Sequence, residues 1–154
     1  MKKITSFCVD HRKLNCGIYV SRIDGNVITY DLRVKKPNTG DLMTNLQMHT
    51  AEHMFATFVR NSKIADNVVY FGPMGCQTGF YLLVTNDISR SEVLNTVKDV
   101  LKNILEYDGP VFGASEIECG NFRSLDLTAA KQVCAEYAAI LEPISQIPTY
   151  DDVK

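Results

Sequence analysis

CGIYVSRIDGNVITYDLRV, residues 16–34, is the part of this sequence that most clearly indicates its fold. Two runs rich in β-branched and aromatic residues flank Asp24-Gly25, a turn pair that tolerates positive φ. The stretch therefore predicts an antiparallel hairpin. A second strand pair is predicted further along the chain, where NVVYFG (67–72) and GFYLLVT (79–85) flank a tight turn.

Three helices are predicted around these strands. Residues from about 43 to 61 repeat apolar side chains at steps of three and four. A second helix is predicted in SRSEVLNTVKDVLKNILEY (89–107), with Ser89 or Ser91 as its cap. A third helix is predicted in LTAAKQVCAEYAAILE (127–142) and ends before Pro143. The intervening SEIECGNFRSLDL (115–127) is predicted to be an extended segment or short strand. Strand pairs mixed with helices indicate an α+β fold, an antiparallel sheet with helices packed on one face, in a single domain over residues 1–154.

The composition argues against several classes of partner. Of the 154 residues, 45% are apolar and 22% charged, and the net charge of -2 does not indicate a nucleic-acid or anionic membrane surface. The longest apolar runs, such as GFYLLV, are too short to cross a bilayer. Five cysteines without a CxxC pair, behind a start that carries no apolar leader, indicate reduced thiols. We predict a cytoplasmic protein without nucleic-acid or membrane partners.

QMHTAEHMFATFV, residues 47–59, carries two of the chain's three histidines. On a helix, His49 and His53 lie one turn apart on the same face, and Glu52 lies close enough to address the same cation. The order H-x-x-E-H is the reverse of the common zinc-peptidase signature. The alternative is a pair of buried histidines bonded to backbone groups, with Glu52 on a solvated flank.

A catalytic tetrahedral metal site needs a third protein ligand and an open fourth position. One class of candidate is a distant glutamate, as in inverted zinc peptidases: Glu106, Glu116 or Glu118. Cys119, in IECGNF, is the other candidate, because Gly120 after it would let the backbone pass close to a metal. A His/His/Cys set suits Zn²⁺, Fe²⁺ or Co²⁺. The alternative for Cys119 is an inert buried thiol.

GPMGCQTGFYL, residues 72–82, places Cys76 between Gly75 and Gly79, just before a strand. Glycines there permit a tight turn and the close approach of a ligand. A cysteine in such a turn can act as a nucleophile or as an acid/base, with its thiolate favoured by nearby donors or a metal. The alternative is a small apolar residue that closes a hairpin.

Two polar features lie outside these motifs. Ser6, Asp10 and His11 form a polar cluster near the start of the chain. Arg33 ends the second strand of the hairpin and could fork onto a carboxylate. On spacing alone, His11 is better explained as a surface residue and Arg33 as a solvated strand end.

HTAEH, GPMGCQTGFYL and ECGNF occur here in one order, and together they resemble the three signature segments of the S-ribosylhomocysteine lyases, the LuxS-type autoinducer-2 synthases. SFCVDH and YDLRVKKPN resemble the family's N-terminal segment and its strand that ends in arginine before Pro-Asn. The resemblance runs from about residue 4 to residue 140. It implies an α+β fold and a homodimer whose active sites lie at the subunit interface.

The resemblance also implies roles for individual residues. The implied ligands of one divalent metal per chain are His49, His53 and Cys119. That metal is typically Fe²⁺, with Zn²⁺ or Co²⁺ as alternatives. The implied acid/base pair is Cys76 and Glu52. The implied substrate-contacting residues are Ser6, His11 and Arg33.

The implied activity is that of a carbon–sulfur lyase with a small-molecule substrate. It splits S-ribosylhomocysteine into homocysteine and 4,5-dihydroxy-2,3-pentanedione, the autoinducer-2 precursor of quorum sensing. The carbonyl migrates along the sugar until the C4 proton is acidic, and β-elimination then expels the homocysteine thiolate. A divalent metal would stabilise the charge of each enediolate, while Cys76 and Glu52 shuttle protons.

Three differences from the family's usual sequence concern the pocket wall and the dimer surface, and one of them is Leu125-Asp126-Leu127 where the family commonly has His-Asp-Leu. DHRKLNCGIYV enters the hairpin without the family's longer connecting segment, and Tyr70 stands where the family usually has an acidic residue. They leave two alternatives, a metal-dependent isomerase or lyase for a related sugar thioether and a non-catalytic dimeric metal-binding module. The H-x-x-E-H pattern alone leaves a third, a zinc hydrolase with a glutamate as third ligand.

Overall fold

The computed structural model describes Met1, Ile4 and residues 7–153. Within this part of the chain, four strands form one antiparallel sheet in the order β1-β2-β4-β3: β1 (Gly17–Asp24), β2 (Val27–Arg33), β3 (Val68–Pro73) and β4 (Gly79–Thr85). Three helices form a layer on one face of the sheet: α1 (Asn45–Val59), α2 (Arg90–Glu106) and α3 (Leu127–Leu141). The predicted α+β fold is confirmed. None of the described helices is both long and apolar enough to cross a membrane.

The ends of these elements are set by short-range contacts that the sequence indicates. Gly25 adopts φ +60° between β1 and β2, as the predicted Asp-Gly turn requires. Thr44 and Ser89 each cap a helix with a side-chain oxygen, and the side chain three residues later accepts a bond from the cap's backbone N–H. Ser89, rather than Ser91, therefore begins α2.

The sheet is covered on both faces near the hairpin. Side chains of a strand point alternately to opposite faces. Ile18 and Leu32, which pair across β1 and β2, enter the core beneath the helices. The neighbouring pair, Tyr19 and Asp31, faces the other way, where Tyr19 belongs to a second, smaller apolar cluster. Asp31 is 0% exposed, so this outer cluster buries a charged side chain.

The prediction of an extended segment or short strand at 115–127 is wrong. The structure has a series of turns there, and α3 begins directly after them. Cys119 N and Glu118 N both donate to Ser115 O, and Ser124 N donates to Asn121 O. The backbone groups of this segment are thus satisfied locally, and none of the described strands pairs with it.

The last residues of the chain add an element that the sequence did not indicate. Val20 N donates to Pro148 O at 2.8 Å, and Val20 forms an isolated parallel bridge with Thr149. A short 3-10 helix, Tyr150–Val153, follows. Tyr150 packs into the outer cluster with Tyr19, at a ring-centroid distance of 6.3 Å. This C-terminal segment therefore covers the free edge of β1 and part of the outer face.

Leu82 of β4 lies in the main core with no exposed surface, paired between Tyr30 of β2 and Phe71 of β3. We expect Leu82→Ala to lower the free energy of unfolding by about 2–5 kcal/mol, because apolar burial is lost and a cavity is left. Urea denaturation followed by circular dichroism measures this change. Lys102→Ala, which trims a side chain of α2 that is 71% exposed, should stay within about 0.5 kcal/mol of the parent. Equal losses in the two variants would contradict the burial described here.

Candidate functional site

Helix α1 presents His49 and His53 one turn apart, with ring centroids separated by 4.7 Å. Each Nδ1 lies 2.8 Å from a backbone carbonyl oxygen, of Ser124 for His49 and of Phe112 for His53. A carbonyl only accepts, so each Nδ1 carries the proton and each Nε2 keeps its lone pair for a ligand. The backbone bonds that the alternative interpretation expected are present, and they prepare both rings to bind a metal.

Cys119 joins the two histidines from the turns before α3. Its Sγ lies 3.3 Å from His49 Nε2, and the ligand atoms of all three residues lie within 4.8 Å of one another. Two imidazole nitrogens and a thiolate form a borderline-soft donor set that leaves a fourth position open. These residues fit a catalytic divalent metal. Within the described chain, the group does not include the glutamates considered as third ligand, Glu106, Glu116 and Glu118.

Glu52 is the half-buried residue directly before His53 on α1. Among the described residues, its carboxylate has no hydrogen-bond or ion-pair partner. A carboxylate that has no structural partner is free to accept and return a proton. The helix that carries the two imidazoles thus also carries a carboxylate that no described side chain pairs with.

Cys76 lies exposed in the turn between β3 and β4. The next residue, Gln77, adopts φ +61°, a left-handed conformation that is uncommon outside glycine. Three bonds hold it there: its N–H donates to Met74 O, its carbonyl accepts from Met43 N, and its side-chain amide donates to Asn45 Oδ1 at 3.2 Å. The turn that presents Cys76 is therefore fixed to the first residue of α1.

The surroundings of Cys76 favour its thiolate. Sγ lies 3.0 Å from Thr78 Oγ1 and 3.8 Å from Nη1 of Arg33, and Nη1 itself donates to Thr78 Oγ1 at 2.5 Å. That oxygen accepts from Arg33, and its own hydrogen can be donated to the sulfur when the thiol is ionised. Partial burial raises the pKa of Cys76, but the Thr78 bonds and the charge of Arg33 outweigh it, and the net pKa is lowered. By contrast, burial raises the pKa of Cys134 to about 12.

Arg33 is a buried residue rather than a solvated strand end. It is 1% exposed, and its guanidinium forks onto Asp31, with Nε donating to Oδ1 at 3.1 Å and Nη2 to Oδ2 at 2.5 Å. The fork onto a carboxylate that the sequence allowed is therefore present, but within β2. Gly79 permits this arrangement beside β2, since an added Cβ would overlap the Leu32 carbonyl oxygen.

Comparison with known proteins decides the family of this chain. Residues 4–146 match the sequence profile of S-Ribosylhomocysteinase (LuxS). The chain belongs to the LuxS family. It is 45% identical over 152 residues to the S-ribosylhomocysteine lyase of Desulfotalea psychrophila, an alignment that covers 95% of this chain and 96% of that protein. The S-ribosylhomocysteine lyases of Borreliella burgdorferi and Clostridium acetobutylicum are 45% and 40% identical to it over 151 residues. Each of these alignments covers 95% of this chain and 96% of the relative.

The residues expected to contact substrate in this LuxS-family chain are only partly gathered. His11 is half-buried, with Nδ1 3.1 Å from Val9 O, and it lines the same pocket of about 440 Å³ as Cys76. Arg33 reaches Cys76 through Nη1. Ser6 lies outside the described residues. The lining of this pocket contains none of the three candidate metal ligands, so the thiol and the metal group do not share this pocket within one chain.

The backbone at Gly113 lies against His53 in this LuxS-family chain, and the sequence analysis did not identify this glycine. It adopts φ +67°, and an added Cβ would lie 3.1 Å from His53 Nδ1. The preceding carbonyl, of Phe112, is the one that accepts from that nitrogen. Sequence reasoning assigned close backbone approach to Gly120, where an added Cβ would meet no atom within 4 Å. Gly113 is therefore the glycine that the histidine geometry requires.

Gly113→Ala is expected to lower divalent-metal affinity by about 10–100-fold, because it displaces the carbonyl that orients His53. Competition with a chromophoric chelator measures this affinity. Gly120→Ala is the matched control from the same loop and should keep the parent affinity, since the new methyl group meets open space. Parent affinity in Gly113→Ala would contradict a role of this backbone in orienting the ring.

Proposed function

We propose that this protein is a carbon–sulfur lyase that splits S-ribosylhomocysteine into homocysteine and 4,5-dihydroxy-2,3-pentanedione, the autoinducer-2 precursor. The observation that carries the proposal is the pairing, in one LuxS-family chain, of a His/His/Cys metal group with a thiol of lowered pKa. The relatives named S-ribosylhomocysteine lyase align with almost the whole chain. The chain thus supplies both the metal group and the thiol that the chemistry needs.

The reaction requires only proton movements and the breakage of one bond. A thioether on C5 of the sugar cannot leave until a carbonyl lies beside C4 and makes the C4 proton acidic. Each carbonyl shift removes a proton from a carbon beside the carbonyl and returns one to its neighbour. Removal of the C4 proton then breaks the C5–S bond, and the electron pair leaves with sulfur as the homocysteine thiolate. Atoms balance without any oxidant or water.

We assign these proton transfers to Cys76 and Glu52. Thr78 and Arg33 stabilise the negative sulfur of Cys76 and lower the pKa of its thiol, which favours the thiolate. Glu52 has a carboxylate without a structural partner. A base and an acid that lie on different elements can act on different carbons of one substrate. We propose that His11, Ser6 and Arg33 contact the substrate.

We propose that His49, His53 and Cys119 hold one divalent metal, which would supply stabilisation of negative charge on substrate oxygens. The Nδ1 bonds to backbone carbonyls support this assignment, because they leave Nε2 of both rings available as ligands, and Nε2 of His49 lies 3.3 Å from Sγ of Cys119. Fe²⁺ is the proposed ion, and Zn²⁺ and Co²⁺ suit the same donors. Conversion of S-ribosylhomocysteine needs no change in the oxidation state of that ion.

We also propose a homodimer with its active sites at the subunit interface. Large apolar side chains are exposed close to site residues: Leu42, 45% exposed, lines the pocket of Cys76, and Ile117, 93% exposed, lies two residues before Cys119. A second copy would cover these side chains and close the pocket against water. Sedimentation velocity should give a single species of twice the chain mass. A monomer at micromolar concentration would contradict the dimer.

The proposed setting is the cytoplasm, where cysteines stay reduced and an iron site is protected from oxidation. The reaction is proposed to serve either quorum sensing or the recycling of a methylation by-product. A reduced compartment suits both the thiolate of Cys76 and the thiolate ligand Cys119.

The experiment is turnover under anaerobic conditions. Protein purified without oxygen is loaded with Fe²⁺ and mixed with S-ribosylhomocysteine, and homocysteine is followed by mass spectrometry. The mass readout is unaffected by the five protein thiols. Release of homocysteine is expected. Metal binding without turnover would favour a related sugar thioether as substrate, and neither metal nor turnover would favour a non-catalytic module.

A further inference from the structure

The C-terminal segment reaches the site of Cys76 through buried polar contacts. Tyr150 is 5% exposed, and its hydroxyl donates to Asp31 Oδ2 at 2.5 Å. Asp31 is the carboxylate that binds the guanidinium of Arg33. Arg33 in turn reaches Thr78 and Cys76. A continuous chain of contacts therefore joins Tyr150, 119 residues distant from Asp31 in sequence, to the thiol.

We propose that Tyr150 is a positioning residue for the thiol of Cys76, acting through the buried Asp31–Arg33 pair. The inference rests on the proposed function in taking Cys76 as the working thiol. Tyr150 does not touch the pocket that Cys76 lines. Its effect is on the side chain that holds Arg33 in place.

The direction of the effect follows from charge. Asp31 and Cys76 both interact with the positive charge of Arg33, and charge is weakly screened around the buried Asp31–Arg33 pair. The hydroxyl of Tyr150 is neutral and donates a hydrogen bond to Asp31 Oδ2. This bond stabilises part of the negative charge of the carboxylate. Without the hydroxyl, Asp31 neutralises Arg33 more completely, and less of the positive field reaches the sulfur. Tyr150 thus leaves Arg33 free to stabilise the thiolate.

The other groups around Cys76 are independent of Tyr150. His11 of the N-terminal segment lines the same pocket, and Tyr81 of β4 interacts electrostatically with the thiol. The remaining lining residues are uncharged: Pro37, Asn38, Gly40, Leu42 and Thr78. All of these stay unchanged in a variant at position 150, so a difference between variants reports the contact of Tyr150 with Asp31.

The test is Tyr150→Phe, which removes one oxygen and keeps the ring. Metal-loaded protein is alkylated with iodoacetamide across a pH series, and the rate is read from the tryptic peptide 64–90, whose single cysteine is Cys76. Thiolate is the reacting form, so the rate rises with pH through the pKa of the thiol. We expect the inflection to move upward by about half a pH unit, which is about threefold less thiolate below the inflection.

Tyr19→Phe is the matched control. Tyr19 lies in the same outer cluster and packs against Tyr150, but its hydroxyl donates to Asn15 O rather than to Asp31. Its inflection should equal that of the parent protein. An unchanged inflection in Tyr150→Phe, or the same upward shift in both variants, would overturn the proposal.

If Tyr150→Phe does not fold, a variant of the exposed residue Asp152 provides an alternative test. Asp152 is exposed and accepts from both N and Oγ1 of Thr149, which fixes the turn that presents Tyr150. Asp152→Ala should loosen this turn and raise the inflection in the same direction, and parent behaviour would overturn the proposal. Alkylation is measured without substrate, so its result is independent of whether S-ribosylhomocysteine is turned over.

Discussion

Cys76→Ala is expected to slow homocysteine release at least about 100-fold, with the metal content of the protein unchanged. The sulfur is the proposed acid/base of the carbonyl shifts. The alanine side chain can neither accept nor donate a proton in its place. The candidate metal ligands lie outside the pocket of Cys76, so the metal group should survive the change. Turnover by mass spectrometry and metal content by atomic emission, on the same sample, measure the two quantities.

Cys16→Ala is the control for this result. Cys16 is half-buried, and burial raises the pKa of its thiol, so it lacks the thiolate character of Cys76. Its removal should leave homocysteine release at the parent rate. Full activity in Cys76→Ala would refute the assignment of this thiol, whereas loss of both activity and metal would mean that the turn supports the metal group.

Cys119→Ala is expected to lower metal affinity by at least about 100-fold and to abolish homocysteine release. Outer partners of metal ligands typically contribute 10–100-fold, so loss of a direct ligand should cost at least as much. The two remaining imidazoles would make a two-ligand site, which is too few for the tetrahedral geometry. Chelator competition and anaerobic turnover measure the affinity and the rate.

Glu116→Ala is the comparison for the third ligand. Glu116 was considered as a ligand from the sequence, but it is exposed and lies outside the His49–His53–Cys119 group. Its removal should change neither metal affinity nor turnover. Metal binding that survives Cys119→Ala and disappears in Glu116→Ala would replace the lyase with a hydrolase of the inverted-motif kind.

The local features of this fold were predictable because neighbouring residues determine them. Asp24-Gly25 predicts a hairpin wherever two β-rich runs flank it, and the cap of Ser89 depends only on residues within one turn. The segment at 115–127 was mispredicted, because its choice between strand and turns depends on whether a partner strand lies nearby. No local pattern contains that information.

The candidate site divides in the same way. The spacing of His49 and His53 predicts a shared cation from helix geometry alone, and the resemblance adds Cys119. The carbonyls of Ser124 and Phe112, which select the nitrogen that faces the metal, come from 75 and 59 residues away. Backbone carbonyls exist at every residue, so no sequence pattern distinguishes these two.

The α+β fold, the strand pairs, the helix caps, the LuxS family and the residue types of a metal group and a thiol can all be predicted from the sequence. The burial of Arg33 on Asp31 and the contact of Tyr150 with the same carboxylate are visible only in three dimensions. A charged strand end and a C-terminal tyrosine are ordinarily solvated. They are buried together here because the C-terminal segment pairs with the edge of β1, and a buried charge must then find its partners inside the protein.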